Sequence, residues 1–513
     1  MPRAPQNATL LLLEHPVCTA ASACLVYTIG LVVYRLWLSP LAKFPGPKLA
    51  AATLWYEFYY DALCHGKYTF EIMKMHEKYG PIVRISPYEL HINDPEYSEV
   101  LYSRDSPRDK YSYYTGQFGT PMAAISTREH ALHRLRRSNM NPYFSTARIR
   151  KLEPTIQLLV DKLCSRFKEF NGTGVPIVVQ HAYTCFATDV ISDYTMGSGW
   201  HYLDQPDFVP HWSHTLSAIA KATVFFKPYP WLLYWLKALP EGFVGRMDPG
   251  MDLFFNFQRR CKTLIKSVID SHNAADYPEK RKAYDHPTFF HDVLDSDLPP
   301  REKGPERLAQ EIQGIIGAGS ETVAKTLSWL TYYLLANPDK LDKLLEELNR
   351  LDPDHTATLS DFEKMPYLTS VMLEGLRLSY GVSTRLQRIA PDRNLQYREW
   401  SIPAGTPVGM TSVMMHHNED IFPDSHSFIP ERWMDDKQRK YLDKYFVAFS
   451  KGSRQCVGIN LAKAELLLVI PKLFRELKLE LFETTREDVT LAHELFLPFP
   501  RLGSKGVRVV VVG

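Results

Sequence analysis

The stretch that decides the reading is "FSKGSRQCVGIN", residues 449–460. It sets Cys456 seven residues after Phe449, four after Gly452, two after Arg454 and two before Gly458. A lone cysteine is ordinarily inert packing, but these neighbours suit it to more. Glycine at 452 and 458 permits a tight turn and close backbone approach on either side of the sulfur. Arg454 places a cation near it, suited to a thiolate or to acidic groups on a bound cofactor, and Lys451 adds to the positive field. From Gly458 the run "GINLAKAELLLVIPKLF" reads as an apolar helix whose N-terminus favours negative charge at Cys456. No partner base stands at a nearby position, so the arrangement suits a thiolate ligand to a metal better than a free nucleophile.

The rest of the chain bounds what that cysteine can serve. Its 513 residues hold one large or two ordinary domains. A 45% apolar and 23% charged composition is that of a globular protein. A net charge of +2 implies no polyelectrolyte partner, and so no nucleic acid. The seven cysteines are scattered without a CxxC pair, which argues against a zinc ribbon or a disulfide framework and fits a reducing compartment.

Residues 17–34, "VCTAASACLVYTIGLVVY", carry no charge, and as a helix they span about 27 Å, near the thickness of a bilayer core. Arg35, Lys43 and Lys48 follow this segment, whereas Arg3 and Glu14 lie before it. The positive-inside rule therefore predicts a single-pass anchor at 17–34, a lumenal segment at 1–16 and a cytosolic body. "FPGPK" makes 35–48 a stiff proline-rich hinge, leaving 49–513 as the body. The sequon at Asn7 matters only if that end is lumenal.

Within the body, 49–80 reads as helical and "IVRISPYELHIND" (82–94) as two short strands. From about 128 to 345 helical periodicity dominates, broken by "NGTGVP"; short strands are expected again after 380, through "MTSVMMHHN". The expected fold is mainly α with small β-sheets. The aromatic-rich stretch 223–243 reads either as core packing or as a segment dipping into a membrane interface. A run from about Pro305 to Asn337 predicts a helix roughly 50 Å long. Its cluster of small residues, Gly314, Gly317, Ala318 and Gly319, suits a surface on which something large and flat must lie. Thr322 stands four residues after Ala318 and can hydrogen-bond its carbonyl.

"FSKGSRQCVG" resembles the FxxGxRxCxG haem-binding signature of the cytochrome P-450 family, matching at Phe449, Gly452, Arg454, Cys456 and Gly458. Three further motifs follow the family's order. "AGSET" (318–322) is similar to its oxygen-binding motif, "EGLR" (Glu374–Arg377) to its ExxR motif, and "PERW" (Pro430–Trp433) to its PERF element. The resemblance implies the P-450 fold and haem b with Cys456 as axial thiolate. It implies Arg454 on a haem propionate, and Thr322 and Glu321 as proton-delivering catalytic residues beside Ala318 and Gly319. It also implies a structural cluster of Glu374, Arg377 and Arg432. Val323 stands where many members carry a second hydroxyl. "HRLRRSNMNPYFS" (133–145) resembles the family's C-helix, with His133 in place of the usual tryptophan and Arg137 keeping the basic position. Arg388 occupies the place of another propionate-pairing arginine.

By that resemblance, which extends to membrane-anchored fungal members of the trichodiene oxygenase type, the chain is expected to be a monooxygenase. It would oxidise a lipophilic terpenoid, polyketide or alkaloid of secondary metabolism with O2 and electrons from an NADPH-cytochrome P-450 reductase, at the endoplasmic reticulum membrane. Phe118, Phe225 and Phe496 are candidate pocket residues. Arg134, Arg136, Arg148, Arg150 and Lys451 form a candidate basic patch for an acidic redox partner. Two other readings remain open: a haem-thiolate isomerase or dehydratase working without O2, and a non-catalytic haem-binding sensor. The acid–threonine pair at 321–322 weighs against both.

Overall fold

Continuous apolar sequence makes the first element of this computed structural model, which describes residues 16–247, 249–277, 279 and 288–513. Helix α1 (Pro16–Val33) passes into a wider turn at Tyr34–Leu38. Together they form a 23-residue apolar helix of mean hydropathy 1.9, none of it buried in the protein, long enough to cross a membrane. Residues 1–15, including the Asn7 sequon, lie outside the described residues.

The expected helix at 49–80 is broken into Lys48–Ala52, Trp55–Phe58, Tyr59–Leu63 and α2 (Tyr68–Tyr79). The last break falls at His65 and Gly66, both with positive φ. A Cβ on Gly66 would lie 2.3 Å from the carbonyl oxygen of Glu494, so the chain turns where a C-terminal hairpin presses on it. Five short strands follow as one mixed sheet: β1 (Ile82–Arg84), β2 (Leu90–Ile92), β3 (Asp109–Lys110), β4 (Arg388–Ile389) and β5 (Pro407–Gly409). Their order is β1-β2-β5-β4-β3, with only β2–β5 parallel. The pressing hairpin is β6 (His493–Leu495) and β7 (Leu497–Phe499).

The helical body comprises α3 (His130–Tyr143), α4 (Thr146–Lys168), α5 (Val179–Met196), α6 (Pro210–Phe226), α7 (Pro230–Ala238) and α8 (Pro249–His272), then α9 (Pro305–Ala336), α10 (Pro366–Ser379) and α11 (Ile459–Glu476). Helix α9 starts on a proline at its first turn and ends at Asn337, before Pro338. It is buried on nearly all sides and packs against α5, α8, α10 and α11. A Cβ on Gly375 of α10 would meet Leu330 of α9 at 2.2 Å, so that crossing requires glycine. One strand expectation fails. Within "MTSVMMHHN", Ser412–His416 is helical, because the buried His416 bridges the Arg377 carbonyl (2.9 Å) and the Val447 N–H (3.0 Å) beneath α10.

Candidate active site

The cysteine loop is closed by its own backbone. Cys456 N–H donates to the Phe449 carbonyl at 2.9 Å, around a single 3-10 turn at Gly452–Arg454. Gly452 has φ +73°, and a Cβ there would lie 2.0 Å from the Tyr102 carbonyl oxygen, so only glycine fits. Gly458 differs from expectation. Its φ is −85° and nothing lies within 4 Å of where its Cβ would stand, so it makes no tight turn and instead leaves space beside the sulfur. Cys456 is accessible, yet its surroundings bury it enough to raise the thiol pKa, against a lowering by the Gly458 backbone and by Arg137. An accessible thiol so enclosed borders an internal hollow.

Helix α9 has an opening of the same kind. Ala318 is exposed and Thr322 half-buried within an otherwise buried helix, and a Cβ on Gly317 would meet nothing within 4 Å. Thr322 Oγ1 donates to the Ala318 carbonyl at 2.7 Å. Gly319, expected beside the cofactor, faces the other way: its Cβ would touch Ile191 of α5 at 3.0 Å. One residue is 100° of helix rotation, which carries 319 off the face shared by 318 and 322. Glu321 is buried. Its Oε1 receives Ser217 at 3.3 Å and stands 3.7 Å from the Lys325 ammonium, while Oε2 has no partner. Burial raises its pKa against the pull of Lys325. That lysine, unforeseen in the sequence, lies 4.3 Å above the Phe499 ring.

Five basic side chains meet near the loop, none of them in an ion pair among the described residues, although Asp109 and Glu129 pull on Arg454 against the other cations. Lys110 and Arg388 are direct cross-strand partners between β3 and β4, where like charges repel. Both are buried. Burial, then Arg454 and Arg388, pushes the Lys110 ammonium well below its ordinary value. Arg454 is pushed down to about 9 by burial and then by Arg388. His133 falls to about 2 through burial, Arg454, Lys110 and Arg137. Arg454 donates only to the carbonyls of Thr127, Arg108 and Arg128, and its Nε has no partner. Arg388 donates to the carbonyls of Leu386 and Gln387 and lies 5.1 Å over the Tyr102 ring. Uncompensated buried cations at this density call for an anionic guest. Lys110 escaped the sequence reading because only its pairing with Arg388, across 278 residues, marks it.

On α10, Glu374 accepts from Arg377 at 2.8 and 2.9 Å and from Arg432 at 3.1 Å, so these three side chains do come together. Phe118 and Phe496 also meet, with ring centroids 5.0 Å apart. Phe225 does not join them; it is 44% exposed and sits against Phe58. The candidate basic patch loses Arg136, which is buried against Glu302 at 2.7 Å. Arg148, Arg150 and Lys451 are paired with Asp292, Glu363 and Glu99.

The family profile for cytochrome P450 matches residues 45–502. The chain is 48% identical to a cytochrome P450 monooxygenase, MO6277, of Ascocoryne sarcoides, over 95% of this chain and 96% of the relative. It is 42% identical to a tryptophan 6-hydroxylase, fscE, of Fusarium equiseti (94% of each), and 40% identical to a cytochrome P450 monooxygenase, oblB, of Cochliobolus heterostrophus (98% and 97%). The chain belongs to the cytochrome P450 family and is an oxidoreductase of its monooxygenase class.

Proposed function

We propose that Cys456 supplies the axial thiolate to a haem b lying between the cysteine loop and α9, and that the enzyme oxidises a lipophilic small molecule of secondary metabolism. The observation that carries this is the cradle of Lys110, His133, Arg137, Arg388 and Arg454, none of which is in an ion pair among the described residues. It suits two propionates, and one of its members, Arg137, acts on an accessible, enclosed cysteine. When bound, haem with a thiolate ligand supplies the oxygen activation.

The remaining work falls to the chain. Arg454, Lys110 and Arg388 would hold the acidic edge of the cofactor. Gly317 and Ala318 leave room for its distal face. Thr322 Oγ1, held by the Ala318 carbonyl, presents a hydroxyl toward the hollow. Glu321 and Lys325 form a buried acid–base pair one turn apart that can hold and pass a proton toward it. Val323 is buried and brings no second hydroxyl, so proton supply rests on these groups. Thr322→Ala is expected to lower product formed per NADPH consumed several-fold; unchanged coupling would count against this role.

The membrane reading gains support from the surface. Trp55, Tyr59, Leu63, Phe225, Trp231 and Trp235 are all more than 40% exposed, and aromatic contacts link the two segments, Trp55 to Tyr229 and Phe58 to Phe225. The two cations within 223–243 point inward: Lys227 pairs with Asp61 and Glu57, and Lys237 donates to the Gly119 carbonyl, while the exposed Glu241 pairs with Arg259. An apolar face with its cations withdrawn suits a bilayer surface. Together with the N-terminal helix it supports anchoring at the endoplasmic reticulum, with electrons from a membrane-bound NADPH reductase. A relative named for hydroxylating tryptophan supports aromatic carbon as one class of target.

Metabolite profiling of the source organism after deletion of the gene tests the reaction. A lost product accompanied by a precursor lighter by oxygen supports monooxygenation. A precursor of equal mass would mean isomerisation and end the present reading of Glu321 and Thr322.

A further inference from the structure

Where the membrane-length helix meets the body there is a cavity of about 300 Å3, walled by Leu36, Trp37, Phe44 and Tyr79 together with Lys48 and Arg84. No carboxylate lines it. Arg84 is 2% exposed; its terminal nitrogens donate to the Arg35 and Pro87 carbonyls at 2.7 and 2.9 Å, and its Nε is left without a partner. Arg35 repeats the pattern one step nearer the membrane. It donates to the Ala52 carbonyl (2.7 Å) and the Tyr88 hydroxyl (2.6 Å), and its Nε is also buried and unpartnered. Among the described residues neither arginine is in an ion pair, and nor is Lys48. Two arginines with buried, unpartnered Nε atoms at one joint are costly without a counter-anion, and neutral carbonyl acceptors offset only part of that cost; the exposed Lys48 adds a third positive charge beside them.

The missing partner is therefore anionic, and the walls say what else it carries. Leu36, Trp37, Phe44 and Tyr79 offer an apolar lining, and Trp37 is 64% exposed at the end of the membrane-length helix, where tryptophan sits at headgroup depth. At about 30 Å3 per water molecule the cavity exceeds what a single ion fills. We propose that it seats the phosphate of an anionic phospholipid, held by the Lys48 ammonium beside the Arg84 guanidinium, with the glyceryl part against Trp37 and Phe44. This rests on the membrane-anchor reading above.

The full-length holoenzyme in nonionic detergent, titrated with phosphatidic acid and with phosphatidylcholine of the same acyl chains, tests it by native mass spectrometry. One phosphatidic acid is expected to be retained per chain at a concentration at least tenfold below that needed for phosphatidylcholine. Lys48→Ala should weaken retention about fivefold. Ala42→Leu, which fills the cavity, should abolish the preference. Lys43→Ala, whose ammonium is engaged by the Ser401 carbonyl, should leave it intact. Equal retention of the two lipids, or a preference that survives Ala42→Leu, would overturn the site. Inorganic phosphate binding as tightly as phosphatidic acid would assign the cavity to a soluble anion and overturn the lipid. Flotation on phosphatidylcholine vesicles separates the two layers. A chain that floats but shows no headgroup preference in the titration loses only this site, whereas one that does not float loses the anchor reading and the site with it.

Discussion

Two of the buried ion clusters among the described residues are built on opposite terms. In the first, Glu374 takes five hydrogen bonds: two from Arg377, one from Arg432, one from the Trp433 indole and one from the Ile429 amide. Arg377 spends its remaining donors on the carbonyls of His416, Ser425 and Ser427. Burial raises the Glu374 pKa, but Arg377 and Arg432 outweigh it and hold the carboxyl below its ordinary value. In the second, Lys227 at the end of α6 bonds Asp61 and Glu57, at 2.6 and 2.8 Å, and Arg385 bonds Glu57 and Glu89, at 2.5 and 2.8 Å. Glu494 on β6 adds a fourth carboxylate to two cations. Glu57 Oε2 and Arg385 Nη1 go unpartnered. Burial raises the pKa of Asp61, Glu89 and Glu494, the last to about 6, while Arg385 and Lys227 hold Glu57 down at about 2. The first cluster is fully paired and fixed in charge. The second is short of cations and responds to protons, and it fastens α6 and the β6–β7 hairpin to the N-terminal helices.

Breaking the first cluster has the larger effect. Glu374→Ala strands two guanidinium groups and should cost about 3–5 kcal/mol, or prevent folding. Because the Glu374 carboxyl titrates below its ordinary value of 4.5, that loss should be the same at pH 5 and pH 8 in urea unfolding. Lys227→Met should cost less, about 1–3 kcal/mol at pH 8, and the loss should shrink toward pH 5 as Glu494 takes up its proton; a loss independent of pH would contradict the contrast.

Glu494→Gln sharpens it with a gain. A carboxyl whose folded pKa is raised binds its proton more tightly when folded, so ionising it lowers stability as pH rises from about 4.5 to about 6. The glutamine variant should therefore be more stable than the natural protein by about 1–2 kcal/mol above pH 6 and equal to it below 4.5. A variant less stable at every pH would show that Glu494 is held as a paired anion.

The same contrast marks what the sequence makes legible. Glu374, Arg377 and Arg432 lie in two short motifs with fixed spacing, and α9 and the cysteine loop are also contiguous. The second cluster draws on residues 57, 61, 89, 227, 385 and 494, each an ordinary charged side chain in its own segment, so nothing local announces it. Lys110 is hidden for the same reason. Phe225 and Gly319 were misplaced by rotation: spacing identifies the helix, but which side faces α5 or solvent depends on the partner it packs against. Lys227 appeared in the sequence as a charge interrupting an aromatic surface, and only its partners on the Trp55–Leu63 turns show that it points inward.

The central claim is that Cys456 holds the haem through its thiolate. The reduced, carbon monoxide-bound absorption spectrum of the purified full-length protein tests it most directly, compared with that of Cys456→Ser. The natural protein should show the strongly red-shifted Soret band of a thiolate-ligated haem, and the serine variant should lack it. A variant that keeps the band, or a natural protein that never shows it, would contradict the account.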